Sequence, residues 1–150
     1  PIVACGSVIQ SKQAEAFGFA NPLIGLVSFG VIITIGMGMF AGAKYKRWFW
    51  LGLEAGTIFG VLFSHWLFYQ SVFEIQALCP YCMVVWATVI ALFVNVTLFN
   101  LNQKFIRVPA SYGKLVKFLT TYKWWIVLLW YLVILGIIAN HFWYYWKTLF

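Results

Sequence analysis

Four apolar runs, each close to the roughly 20 helical residues that cross a hydrocarbon core, constrain this chain more than any other feature. They extend from Pro22 to Gly42, Trp48 to Tyr69, Pro80 to Asn100 and Trp124 to Trp146, and Glu54 is the sole Asp, Glu, Lys or Arg inside them. In lipid every backbone polar group needs an internal partner, which leaves helices or a closed barrel. Runs such as LIGLVSFGVIITIG and VVWATVIALFVNV do not alternate in polarity as barrel strands do. The predicted fold class is therefore an all-α membrane protein, a transmembrane helix bundle. Composition agrees: 9% charged residues are far below the roughly 25% of a water-soluble domain. The net charge of +7 raises nucleic acid as a partner, but no basic face sits on a water-exposed domain of useful size, so none is expected. Disorder is excluded by the 21% aromatic content.

Lys44, Lys46 and Arg47 lie between the first two runs, and Lys104, Arg107, Lys114, Lys117 and Lys123 between the last two. Both connections share one face, which the positive-inside rule makes cytoplasmic. Residues 1–21, the short connection 70–79 and the C-terminus then face outward, and Trp residues near the run ends fit an interfacial belt. The organisation reads as an extracytoplasmic cysteine loop at 1–21, with a short surface helix over 11–17. A bundle of three spans follows at 22–100, then a basic cytoplasmic linker at 101–123 and an additional C-terminal transmembrane helix at 124–150. Because Pro1 is placed outside, a further span or a cleaved signal is expected upstream. Gly52, Gly56 and Gly60 form a small-residue stripe expected to admit a neighbouring helix within the bundle.

The chemistry rests on three cysteines, Cys5, Cys79 and Cys82, all assigned to the outer face by an argument that did not use them. Cys79 and Cys82 belong to the sequence CPYC where the third run begins. Pro80 suits the first helical position, so Cys79 becomes the N-cap and Cys82 falls one turn inside. Helical neighbours at i and i+3 are about 5–6 Å apart, close enough for a disulfide after local adjustment, and the helix N-terminus favours a thiolate. The pair is divided by depth, Cys79 nearer water and Cys82 nearer lipid. That division suits electron exchange between a soluble thiol and a lipid-soluble acceptor. A structural disulfide or half of a zinc site are the competing readings; no metal is expected, because His65 and His141 sit inside spans. Cys5 is left odd, and Cys79, another protein or an upstream cysteine could each be its partner.

The segments ACGSVIQS, FGFANPLIGL and ALCPYCMVVW, in this order, resemble the vitamin K epoxide reductase family, particularly its bacterial members. The resemblance implies a helix bundle around a quinone, with an outer-loop cysteine pair that passes electrons from an exported thioredoxin-like (DsbA-like) protein to the CxxC pair. Carried over by position, it implies that Cys82 faces the quinone, menaquinone or ubiquinone, and that Cys79 exchanges with Cys5. It further implies quinone-side roles for Ser11, at the family's loop Ser/Thr position, and for Asn21, as hydrogen-bond donor to a carbonyl. Trp86 stands where some relatives carry a hydrogen-bonding Tyr; its indole N–H can also donate. The family's first loop cysteine would lie about eight residues before Cys5, upstream of Pro1.

The expected function is a thiol:quinone oxidoreductase of a bacterial plasma membrane, multi-pass, with its active site toward the periplasm. The rival readings are a quinone or quinone-epoxide reductase for which thiols are only the reductant, and a non-catalytic membrane-complex subunit stapled by CPYC. Glu74 and Gln76 are read as flanking polarity rather than proton donors. His65 is expected in packing or hydrogen bonding, and Glu54 too near the cytoplasmic end to join the chemistry.

Overall fold

The computed structural model describes residues 5–6, 10, 12–15, 17–107 and 109–147. Among them every regular element is helical. After a 3-10 turn at Lys12–Glu15 come α1 (Asn21–Phe40), α2 (Arg47–Tyr69) and α3 (Pro80–Asn102). A 3-10 turn at Ala110–Tyr112 then leads to α4 (Gly113–Thr121), α5 (Lys123–His141) and the single turn α6 (Trp143–Trp146). Four helices are long and apolar enough to span a membrane: α1, α2 with its extension to Glu74, α3 and α5.

Local chemistry sets the helix ends. Pro22 and Pro80 sit in the first turns of α1 and α3, where a missing N–H costs nothing. The chain leaves α1 through Gly42 at φ +86°, a left-handed value that glycine adopts without strain. It then folds back so closely that the Tyr45 hydroxyl occupies the space a Cβ on Gly38 would take. A side chain at 38 would have to displace the Tyr45 ring.

Helices α2 and α3 pair most extensively, and α5 covers α3. Gly60 lies where an added Cβ would meet Val89 at 3.3 Å, whereas Gly52 and Gly56 face open space. Only one glycine of the stripe therefore serves the α2–α3 approach. Two apolar clusters form the core. One gathers Phe68, Val72, Leu78, Trp86, Ile138 and Phe142 near CPYC; the other gathers Val94, Leu98 and Val127 toward the opposite end. Helix α5 is also fastened by polar groups inside the span: the Trp130 indole donates to His65 Nε2 at 3.0 Å, and the Tyr131 hydroxyl to the Ala87 carbonyl. Helix α1 is different, since Asn21 is its one buried residue.

The connections 41–46 and 103–122 meet at one end, where Arg47 Nε donates to the Phe105 carbonyl at 2.9 Å. This basic end opposes a cysteine end, where Phe73 packs its ring on His141 and loop 75–79 leads into CPYC. Two stretches add detail to the sequence expectation. The basic linker expected at 101–123 contains an amphipathic helix, α4. The fourth apolar run is not one helix to Trp146, because it breaks at Phe142.

Candidate functional site

The cysteine end is shaped by how α2 stops. Its last turn widens into a π-helical turn, Gln70–Glu74, closed by the Ile75 N–H donating to the Gln70 carbonyl at 2.9 Å. Such turns often occur at functional sites. Gln76 then takes φ 54°, a left-handed conformation that turns the loop back. Ser71, buried, grips this loop twice: its hydroxyl donates to the Ala77 carbonyl, and its own carbonyl accepts from the Ala77 N–H at 3.1 Å. Loop position therefore fixes Cys79, two residues further on. Replacing Ser71 by Ala leaves the buried Ala77 carbonyl short of a donor, at a cost of about 1–3 kcal/mol. The Ser71→Ala chain should lose about that much in a reversible unfolding titration and should exchange thiols more slowly in a stopped-flow assay.

Cys79 is the N-cap of α3, in extended conformation at φ −110° and ψ 118°, and its carbonyl accepts from the Met83 N–H at 3.0 Å. The side chain is only 1% exposed. Its Sγ lies 2.8 Å from Cys5 Sγ, a contact spanning 74 positions of sequence. On its other side it is hydrogen bonded by the Cys82 thiol. Cys79 is thus the middle sulfur of three. Cys82, half-buried one turn into α3, packs against the Phe68–Trp86–Phe142 cluster together with Met83.

Electrostatics separates Cys5 from Cys79. Burial pushes the Cys79 thiol up, but hydrogen bonds from the Cys5 thiol, the Cys82 backbone and thiol, and the Tyr81 N–H outweigh it, leaving Cys79 below the ordinary thiol range. Cys5 moves the opposite way, because its proton is held in the bond to Cys79; burial and the nearby Cys79 charge add to this. Of the reduced pair, Cys79 is therefore the readier to ionise and Cys5 the hydrogen-bond donor. A depressed pKa raises the thiolate fraction at a given pH above that of a free cysteine. Removing the donor reverses part of that shift. Cys5→Ala should move the Cys79 titration, followed by ultraviolet thiolate absorbance in a Cys82→Ser background, toward higher pH.

The other expected residues fall out as follows. Asn21 is buried at the first position of α1. Trp86 sits one turn below Cys82 and 5% exposed, its ring edge-on to Phe68 at 5.0 Å. It also lines an apolar cavity of about 200 Å³ between α3 and α5, with Met83, Ile90, Tyr131 and Ile138. That cavity is not lined by Cys82 or Asn21. Ser11 lies outside the described residues, as does Ala16; within the expected surface helix at 11–17, Lys12–Glu15 form a 3-10 turn. Glu74 and Gln76 are exposed. His65 has both ring nitrogens engaged, Nδ1 with the Val61 carbonyl at 2.8 Å and Nε2 as acceptor from Trp130, which makes it a fastening for α5. Among the described residues no group of three or more His, Cys, Asp or Glu is arranged to hold a metal ion.

Against known proteins, residues 1–97 match the model of the vitamin K epoxide reductase family. The chain belongs to that family. The matched region holds Cys5, CPYC, α1, α2 and most of α3, while α4 and α5 lie beyond it. No curated protein and no solved structure matches the chain. Family membership makes this an oxidoreductase of the membrane.

Ser71 and the π-helical turn were not singled out from sequence. A serine followed by Val and Phe at the end of an apolar run gives no spacing signal, and its role exists only through the folded loop. Glu54 is the second residue whose environment the sequence hid. Its carboxylate is buried and accepts from Thr97 Oγ1 at 2.7 Å and from Asn100 Nδ2 at 3.0 Å, near the basic end.

Proposed function

We propose that this vitamin K epoxide reductase family member is a thiol:quinone oxidoreductase that supports disulfide formation. An exported thioredoxin-like dithiol protein gives up two electrons and two protons to become a disulfide, and a membrane quinone, menaquinone or ubiquinone, accepts them to become the quinol. The observation that supports this reading best is the set of sulfurs, half-buried Cys5 against Cys79 at 2.8 Å, with Cys82 one turn further into α3 against the apolar cluster.

In this reading Cys5 meets the partner, and the Cys79 thiolate exchanges disulfides with it. Exchange is fastest for thiolates, which the hydrogen bonds to Cys79 favour. Cys82 holds the reducing pair on the membrane side, with Trp86 and Phe68 forming an apolar, aromatic surround that suits a flat ring. Asn21 supplies an amide for a ring carbonyl. The distribution of Lys and Arg puts the basic end in the cytoplasm and the cysteines toward the periplasm of a bacterial plasma membrane.

The test is reconstitution of the full chain in lipid with a reduced thioredoxin-like dithiol protein. Thiol loss should require added quinone and yield one quinol per disulfide formed. Oxidation at an unchanged rate without quinone would overturn the proposal. An outcome in which quinol forms but the partner's thiols can be replaced by any small dithiol without loss of rate would favour quinone reduction as the purpose.

A further inference from the structure

A second cavity, of about 370 Å³, opens at the basic end among α1, α2, α3 and the start of α5. Its walls are mainly apolar, from Ile32, Met39, Leu92 and Phe99, and its polar groups are Asn95, Asn102, Thr120 and Lys123. No carboxylate lines it.

Lys123 is placed unusually. Lysines at the end of a spanning helix ordinarily extend their ammonium outward to water and headgroups. Here Nζ reaches inward to Asn95 Oδ1 at 3.0 Å, on a residue about 10 Å deeper along α3 than Asn102. The face of Trp124 lies 5.3 Å from the same ammonium. A neutral amide oxygen and an indole ring hold the cation without neutralising it. Glu54, on α2, is already engaged by Thr97 and Asn100. An ammonium drawn into the span, facing a cavity with no acid of its own, is complementary to an anion.

The surroundings specify which kind. Beside the cavity, α4 exposes Leu115 and Phe118 and carries Lys114 and Lys117, as a helix lying in the membrane interface does. Its lysines would meet the phosphate level of the same leaflet. The volume falls within the roughly 300–1,000 Å³ of ordinary ligand sites, and the apolar walls suit an acyl chain rather than a free ion.

We propose that this cavity binds an anionic phospholipid of the leaflet at the basic end, its phosphate on Lys123 and its upper acyl chain along Ile32, Leu92 and Phe99. Bound there, the lipid bridges α1, otherwise loosely held, to α3 and α5. The proposal stands apart from the redox reading, since it uses none of the cysteines.

Native mass spectrometry of the full chain, titrated with phosphatidylglycerol or phosphatidylcholine of matched acyl chains, tests it. Phosphatidylglycerol should be retained about tenfold more tightly. Lys123→Gln should erase that preference, and Leu92→Trp, which keeps the ammonium but fills the cavity, should weaken phosphatidylglycerol to a similar extent. Lys147→Gln, at the cysteine end, should leave it unchanged. Should Lys123→Gln lose helicity by circular dichroism, Leu92→Trp decides alone. Equal retention of the two lipids, a preference that survives both variants, or displacement by inorganic phosphate at equal concentration would overturn the proposal.

Discussion

Replacing Cys82 by Ser should abolish quinone-dependent thiol oxidation while leaving the bundle assembled. The exchange is nearly isosteric, and Cys82 is only half-buried, so the folded state loses little: a hydroxyl in place of a thiol against Phe68 and Trp86 costs about 1 kcal/mol, the usual size of a point substitution. The chemistry loses everything that depends on sulfur. Serine cannot close a disulfide with Cys79, so the electrons delivered through Cys5 have no onward path. The expected loss of rate is at least about 1000-fold, the scale seen when a nucleophile is deleted from a coupled set. A second signature should accompany it. The Cys5 and Cys79 sulfurs, already 2.8 Å apart, should accumulate as a disulfide with each other, visible as a mass decrease under non-reducing conditions. If CPYC were a staple, the opposite pattern would appear: activity unaffected or never present, and loss of helical content or of a monodisperse peak on size-exclusion chromatography.

How much of this was legible beforehand depended on the length scale of the signal. Spans are set by the transfer of some twenty side chains, so hydropathy alone located α1, α2, α3 and α5. The CPYC pair was equally legible, since Pro80 announces a helix start and spacing then places both sulfurs. The partner of Cys5 was not: 74 positions separate it from Cys79, and the residues alone left three candidates open until the family resemblance narrowed them. Trp86 shows a different limit. Its position beneath Cys82 followed from helical spacing, but only the fold shows its ring locked edge-on against Phe68 and walling a cavity shared with α5. Helix α4 was hidden because nine residues with Pro109 and Gly113 nearby read as a linker; its apolar positions Val116 and Leu119 gain meaning only once Leu119 docks on the Val94–Leu98–Val127 cluster. The end of α2 was hidden for a similar reason, as a π-helical turn leaves no compositional mark.

The buried carboxyl of Glu54 leads to the second large effect, on stability and away from the cysteines. Oε1 accepts from Thr97 and Oε2 from Asn100, whose Nδ2 also donates to the Trp50 carbonyl at 3.2 Å. Asn100 Oδ1, fully buried, has no partner among the described residues. Glu54→Ala therefore does three things together: it strands the Thr97 hydroxyl, takes one acceptor from an amide already short of a donor, and opens a cavity between α2 and α3. Polar bonds between spanning helices are worth about 0.6 kcal/mol each on average, while an unsatisfied buried group costs about 1–3 kcal/mol. The sum places Glu54→Ala at a loss of about 2–4 kcal/mol, readable as a lower midpoint in denaturant. Glu54→Gln should behave otherwise. Its Oε1 still accepts from Thr97, and rotation of the Asn100 amide brings the orphaned Oδ1 round to accept from the new amide N–H, exchanging one unsatisfied acceptor for the Trp50 carbonyl. Stability should then stay within about 1 kcal/mol of the parent chain. Because this network lies at the basic end, the Gln variant should oxidise partner thiols at the parent rate. A Gln variant as unstable as the Ala variant would mean that the charge of Glu54, rather than its hydrogen bonds, holds α2 against α3.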